Sequence, residues 1–187
     1  MRYYLFCSDK PLPRKVLENS FKALKFDTSS LSFQNDDFGC LTGSEDLLPI
    51  LNSFLPSLQE DSGVNLVFLS THALDELSLK LLKSAASFFL GEAVYPTDVL
   101  FKEFSFGDYS SLPYLHNIFR GVEPELMETS SAYLKSNLNA SLASSSLYIH
   151  RNTFNYRLQK FIDVTGLDIR NYHNALLLEI YLGFRRR

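Results

Sequence analysis

Apolar and polar positions alternate along this chain in two distinct rhythms, and the change from one to the other divides it. Over the first hundred residues, short apolar runs with strand spacing alternate with stretches of helical spacing. Residues 2–7, Arg-Tyr-Tyr-Leu-Phe-Cys, read as a strand. Residues 13–26 follow as a helix, with Pro13 at its start and Val16, Leu17, Phe21 and Leu24 on one stripe. Residues 30–33 and 38–41 pair as a hairpin across the turn-forming tetrad Gln34-Asn35-Asp36-Asp37. A helix capped by Ser44 carries Leu47, Leu48, Leu51, Phe54 and Leu55. The continuous apolar run 64–69, between Gly63 and Ser70, fits a buried central strand. Ser70 or Thr71 can cap the next helix, whose stripe is Leu74, Leu77, Leu81, Ala85 and Phe88. Residues 99–104 read as a last strand. Such alternation predicts a small mixed α/β domain.

From Gly107 the strand character fades, and Gly121-Val122-Glu123-Pro124 marks a boundary. The sequence thus divides into an α/β domain over 1–121, of regulatory or dimerisation character, and an all-helical domain over 122–187, an α+β chain overall. In the second part, residues 125–138 form a helix with Leu126, Met127, Ala132, Tyr133, Leu134 and Leu138 as its buried candidates. A short helix over about 140–147 and a longer one over about 151–165 follow, joined by a turn of three or four residues and closed by Gly166 as a C-cap.

Two helices joined so tightly cross steeply and need small residues where they touch, a need met by Ala143 and Ser144. Leu147, Ile149, Phe154, Leu158 and Phe161 or Ile162 supply the apolar seam. The outward face of the longer helix then holds Asn152, Asn155, Tyr156, Gln159 and Lys160. Asn and Gln can pair bidentately with adenine edges, and Arg and Lys with guanine or phosphate. The helix start also offers free backbone N–H groups to a phosphate.

The run Leu-x-Ile-His-Arg-Asn-Thr-x-x-Tyr-Arg-Leu over 147–158, followed by Gly166-Leu167-Asp168, closely resembles the C-terminal helix-turn-helix of the PucR/CdaR family of bacterial regulators. The resemblance covers about 126–184. It implies that His150, Arg151, Asn152 and Thr153 lie at the start of a DNA-recognition helix, with Tyr156 and Arg157 on its body. It further implies a cytoplasmic transcriptional regulator that binds double-stranded DNA and is not an enzyme. Helix-turn-helix proteins generally bind paired half-sites as dimers, so a homodimer formed through the N-terminal domain is expected. Two departures stand out. Ser144 and Ser146 occupy places where the family usually has alanine, and Ser145 one that is often basic. Family members also usually carry a sensory region and a degenerate diguanylate-cyclase-like domain ahead of the helix-turn-helix; no matching motif is visible in the first 120 residues. A reduced form of that domain and an unrelated fold both stay open.

Charge sharpens the division. The net charge of −3 is uneven: residues 131–187 hold eight Lys/Arg against Asp163, Asp168 and Glu179, a net of +5 that leaves −8 elsewhere. An acidic body with a basic end suits an appended DNA-binding module, and Arg185-Arg186-Arg187 extends that basic end. No apolar run reaches the roughly 18 residues of a membrane span, and the N-terminal apolar stretch is too short for a signal peptide. Cys7 and Cys40 stand far apart without metal-ligand spacing, which points to a reducing compartment and no zinc site. Asp36, Asp37, Glu45 and Asp46 are read as a turn and a helix start, and His72 and His116 have no nucleophile partner. No cofactor or metal is expected. A helix-turn-helix that no longer binds DNA, acting as a protein-interaction module or effector-sensing adaptor, is the alternative.

Overall fold

The computed structural model describes residues 2–23, 30–43 and 46–185. Leu24, Ser44, Glu45, Arg186 and Arg187, named above, and the end of the helix expected over 13–26 lie outside these residues. The chain forms two compact units, 1–111 and 112–187.

The first unit is built on β1 (Arg2–Ser8), α1 (Arg14–Ala23), β2 (Leu31–Phe33), β3 (Phe38–Gly43), α2 (Leu48–Ser62), β4 (Leu66–Thr71), α3 (Glu76–Phe88), β5 (Ala93–Val94) and α4 (Pro96–Ser105). Its strands form one sheet in the order β2-β3-β1-β4-β5. β1 pairs antiparallel with β3 and β4, and β4 pairs parallel with β5 across the α3 crossover. The hairpin is closed by Asn35, whose Oδ1 accepts from the backbone N–H of Asp37 and Phe38.

Alternation along the interior strands serves two cores. Tyr4, Phe6, Leu41, Leu66 and Phe68 point to the face covered by α1 and α2, where they meet Leu17, Phe21, Leu51 and Leu55. The opposite face of β1 and β4 packs against α3, which leaves β4 buried throughout. Phe6 is the hub of the first core: its ring lies 5.1 Å from Phe68 and 5.8 Å from Phe33. It also covers its cross-strand partner Gly39, where an added Cβ would sit 2.2 Å from the ring.

Three local expectations change. Residues 99–104 are not a strand but lie in α4. Pro96 opens that helix, Asp98 bonds back to the Tyr95 N–H at 2.8 Å, and Val99, Leu100 and Glu103 turn inward at helical spacing. Ser70 and Thr71 continue β4 by pairing with Tyr4 and Tyr3, so α3 starts later, capped by Asp75, whose Oδ1 accepts from the Ser78 N–H. Leu74 and Phe88 consequently lie off the buried stripe, at 41% and 37% exposure, as does Val16 of α1 at 36%. The α2 N-cap position is Leu47, with Asp46 accepting from the Leu48 N–H.

The second unit holds α5 (Leu112–Phe119), α6 (Pro124–Lys135), α7 (Ala140–Ser146), α8 (Arg151–Thr165) and α9 (Tyr172–Arg185). It begins before the Gly121–Pro124 stretch because α5 belongs to it: Phe119 stacks on Tyr181 at 4.5 Å and on Phe161 at 6.2 Å. Among the described residues no helix is long and apolar enough to cross a membrane.

Gly39→Ala is expected to push Phe6 out of its place and destabilise the first unit by about 1–3 kcal/mol. Urea unfolding of this variant, compared with Gly63→Ala as a strained but uncrowded control, measures it.

Candidate nucleic-acid interface

The helix pair predicted from spacing is present, and its local chemistry explains each bend. Asn139 caps α7 by accepting from the Ser141 and Leu142 N–H groups. The four residues 147–150 then turn the chain into α8. His150 occupies the N-cap of α8, and its Nδ1 accepts from the Asn152 N–H at 3.2 Å, so this imidazole fixes the start of the helix. Gly166 ends α8 in the left-handed conformation, at φ +71°. Beyond it, Asp168 grips Arg170 with two bonds of 2.6 and 2.7 Å and accepts from the Asn174 amide through its carbonyl, orienting α9.

Packing decides which face of α8 is free. Phe154, Leu158, Phe161 and Thr165 are buried at spacings of four, three and four, one stripe of a 3.6-residue helix. They face α6 and α7, where Tyr133 lies 5.7 Å from Phe154 and where Ala143 and Ser144 are both buried. The Ser144 and Ser146 hydroxyls donate to the carbonyls of Ser141 and Ala143 on their own helix. They therefore replace alanine without leaving a buried donor unpaired. Leu147 and Ile149, assigned to the seam, are half-buried at its margin.

About 200° around the helix from this stripe, Asn152, Tyr156, Gln159 and Asp163 form a second line, and Tyr156 is 68% exposed. Gln159 donates to Asp163 at 2.9 Å, leaving the first half of the line to Asn152 and Tyr156. Arg151, Thr153 and Asn155 flank it and are exposed. Arg151, Asn152, Thr153, Asn155, Tyr156 and Gln159 form one polar face from the first turn to the middle of α8, and His150 stands at its end.

The other two site candidates are differently placed. Arg157 bonds Glu125 at 2.9 Å and Lys160 bonds Glu123 at 3.0 Å, both carboxylates belonging to the start of α6. The hydrogen bond and charge of Glu123 hold the Lys160 ammonium above its ordinary pKa. Glu123 and Glu125 were not singled out from the sequence. They stand 37 and 32 positions from their partners, and no periodicity signals a pairing between separate helices.

Tyr148 was also missed. It sits in the turn with φ +54° and is 97% exposed, a bulky side chain in a conformation that ordinarily favours glycine. The hydrogen bonds from the Tyr148 and Ile149 N–H groups to the Ser145 and Ser144 carbonyls hold it there. Among the described residues, no three His, Cys, Asp or Glu side chains gather as a metal-binding group.

Comparison with known proteins agrees with this geometry. Residues 126–183 match the family model described as the PucR C-terminal helix-turn-helix domain, and this part of the chain is a domain of that type. It is similar to the uncharacterized protein YxkF of Bacillus subtilis, 42% identical over 57 residues, which are 30% of this chain and 19% of that protein. It is similar also to the carbohydrate diacid regulator of Escherichia coli, 40% identical over 57 residues, 30% of this chain and 15% of the regulator. A longer alignment, 82 residues at 32% identity, links 43% of the chain to 19% of the DNA-binding transcriptional activator AdeR of Bacillus subtilis. The chain thus spans less than a fifth of the length of these relatives.

Relieving the left-handed strain at Tyr148 by substitution with glycine is expected to raise stability by up to about 1 kcal/mol. The midpoint of chemical unfolding reads this, and a lower midpoint would show that the turn needs the tyrosine ring.

Proposed function

We propose that this protein is a DNA-binding transcriptional regulator that lays α8 in the major groove. The observation that carries the reading is the polar face made by Arg151, Asn152, Thr153, Asn155, Tyr156 and Gln159 from the first turn to the middle of a helix whose opposite side is sealed in a helix-turn-helix core. This is the orientation in which such a helix presents its first turns to base edges. Asn152 and Asn155 offer the paired donor and acceptor that adenine requires, and Gln159 can join them once its amide releases Asp163. Arg151 and the free N–H groups at the helix start suit guanine or phosphate, and Tyr148 and His150 stand where the chain would meet the backbone. The names of the regulator relatives support this reading over a fold kept only for protein contacts.

Arg157 and Lys160 play a different part in this scheme. Their bonds to Glu125 and Glu123 brace α8 on α6 and lower the positive charge beside the DNA face. Exposed ion pairs of this kind are worth about 1 kcal/mol or less, so a phosphate can compete for either cation. The regulator acts as a homodimer on paired half-sites, the usual arrangement for this motif, and in a reducing cytoplasm.

The first unit offers a place for a small effector. A cleft of about 680 Å³ lies between α3 and the β2–β3 hairpin, lined by apolar Cys7, Phe38 and Leu82 and by polar Asn35, Asp37 and Lys83. That volume is in the range of ligand sites. Burial pushes the Cys7 thiol up to about 11, so this wall of the cleft is uncharged at neutral pH.

Asn152→Ala is expected to weaken binding to the preferred sequence by about 1–3 kcal/mol and to relax selectivity, while Arg151→Ala lowers the slope of log affinity against log salt by about one. Glu123→Gln with Glu125→Gln is expected to tighten binding and steepen that slope, because it frees two cations for phosphate. Fluorescence anisotropy at several salt concentrations measures both. Unchanged affinity in both Asn152→Ala and Arg151→Ala would refute the proposed surface.

A further inference from the structure

The first unit carries an aromatic surface that its own cores do not use. The inner sides of α3 and α4 are filled by Leu81, Leu82 and Ala85 and by Val99 and Leu100, all 2% exposed or less. On the outside, Phe88 stacks on Phe106 with centroids 5.8 Å apart and rings 6° from parallel, and Phe88 meets Phe89 edge to face. Phe101 shares a concave surface with Phe89 and Lys102, and the Lys102 ammonium lies 5.5 Å from the centre of the Phe106 ring. One turn along α4 from Phe101, Phe104 stacks on Tyr109. These rings pair with one another yet stay open to solvent: Phe106 is 69% exposed, Phe101 49%, Tyr109 48%, Leu90 43% and Phe88 37%.

A large side chain of this kind offers roughly 150–250 Å², so Phe88, Phe101, Phe106 and Tyr109 leave on the order of 400 Å² of apolar surface together. That is within the range of the largest patch a single-chain protein exposes, about 300–600 Å², which is often functional. It is also about half of the roughly 800 Å² that each partner contributes to a standard interface. Aromatic side chains at the centre of a patch are the residues that dominate association energy.

We infer that this α3–α4 surface is a two-fold interface with a second copy of this chain. Two features argue for that occupant. The inference rests on the DNA-binding reading, in which paired half-sites require two copies held together. The surface is also self-complementary in charge. Glu92 and Asp98 share the concave surface with Lys102, so the patch carries both signs, and a two-fold axis passing between them would set the lysine of each copy against a carboxylate of the other. A surface of one sign would repel its own copy.

Sedimentation velocity on the full chain between about 1 and 100 μM, a range typical of dimer dissociation constants at modest affinity, tests the inference without DNA. Its outcome is therefore separate from that of the DNA-binding reading. The wild type is expected to sediment as a dimer in the upper part of the range. Phe101→Glu with Phe106→Glu is expected to be monomeric at every concentration, with an unchanged circular dichroism spectrum. Should that variant fail to fold, charge exchange decides: Lys102→Glu weakens the dimer at least tenfold, and adding Glu92→Lys restores it. On paired half-sites the monomeric variant would bind each half independently, while single half-site affinity stays at the wild-type value. A wild type that is monomeric at 100 μM overturns the inference. So does a folded Phe101→Glu/Phe106→Glu variant that remains a dimer, or a Lys102→Glu dimer of unchanged strength.

Discussion

The contact between α7 and α8 decides which face of α8 stays exposed. Four residues join the two helices, which leaves no slack, so their surfaces meet at whatever distance the side chains between them permit. Ala143 and Ser144, both buried, keep that distance short. Phe154, Leu158 and Phe161 can then bury their full length against α6 and α7. Once that stripe is committed inward, geometry alone carries Asn152 and Tyr156 outward, because they stand half a helical turn away from it. A larger residue at position 143 would lift α8 off its neighbours and rotate the polar face with it.

Electrostatics adds a second constraint to this frame. The basic excess of the last third suits a DNA-binding module, yet two of the three cations on α8 are tied to Glu123 and Glu125, and Arg170 is tied to Asp168. On α8 the positive charge thus serves mainly to hold helices together. What remains on the exposed first half of α8 is Arg151 and a set of neutral amides and hydroxyls. In the proposed complex with DNA, such a surface would depend more on hydrogen bonds to base edges than on bulk attraction to phosphate, which favours selectivity over affinity.

Much of this was legible beforehand, and unevenly so. The helix-turn-helix could be read because it is local: caps, small residues, a four-residue turn and a Gly166 stop all lie within 28 residues of one another in the chain. The hairpin at 31–43 and the strand β1 were legible for the same reason. What failed was short and lacked context. Residues 99–104 have the apolar density of a strand, and only the Pro96 and Asp98 start signals mark them as helix. Thr71 was read as a cap because the pairing that draws it into β4 comes from Tyr3, 68 positions away. The salt bridges of Arg157 and Lys160 and the strained Tyr148 turn are likewise products of tertiary arrangement, which one-dimensional spacing does not record.

The first unit has a sheet covered on both faces, an open cleft beside the hairpin and an aromatic surface on α3 and α4. Its part in regulation follows only if α8 reads DNA sequence. The most direct measurement is selection of DNA ligands from a random pool by the purified chain at physiological salt, followed by sequencing. The account predicts an enriched motif of two related half-sites, centred about one helical turn or a small multiple apart, and its loss with Asn152→Ala. Recovery of unselected, random sequence by the wild-type protein would contradict it.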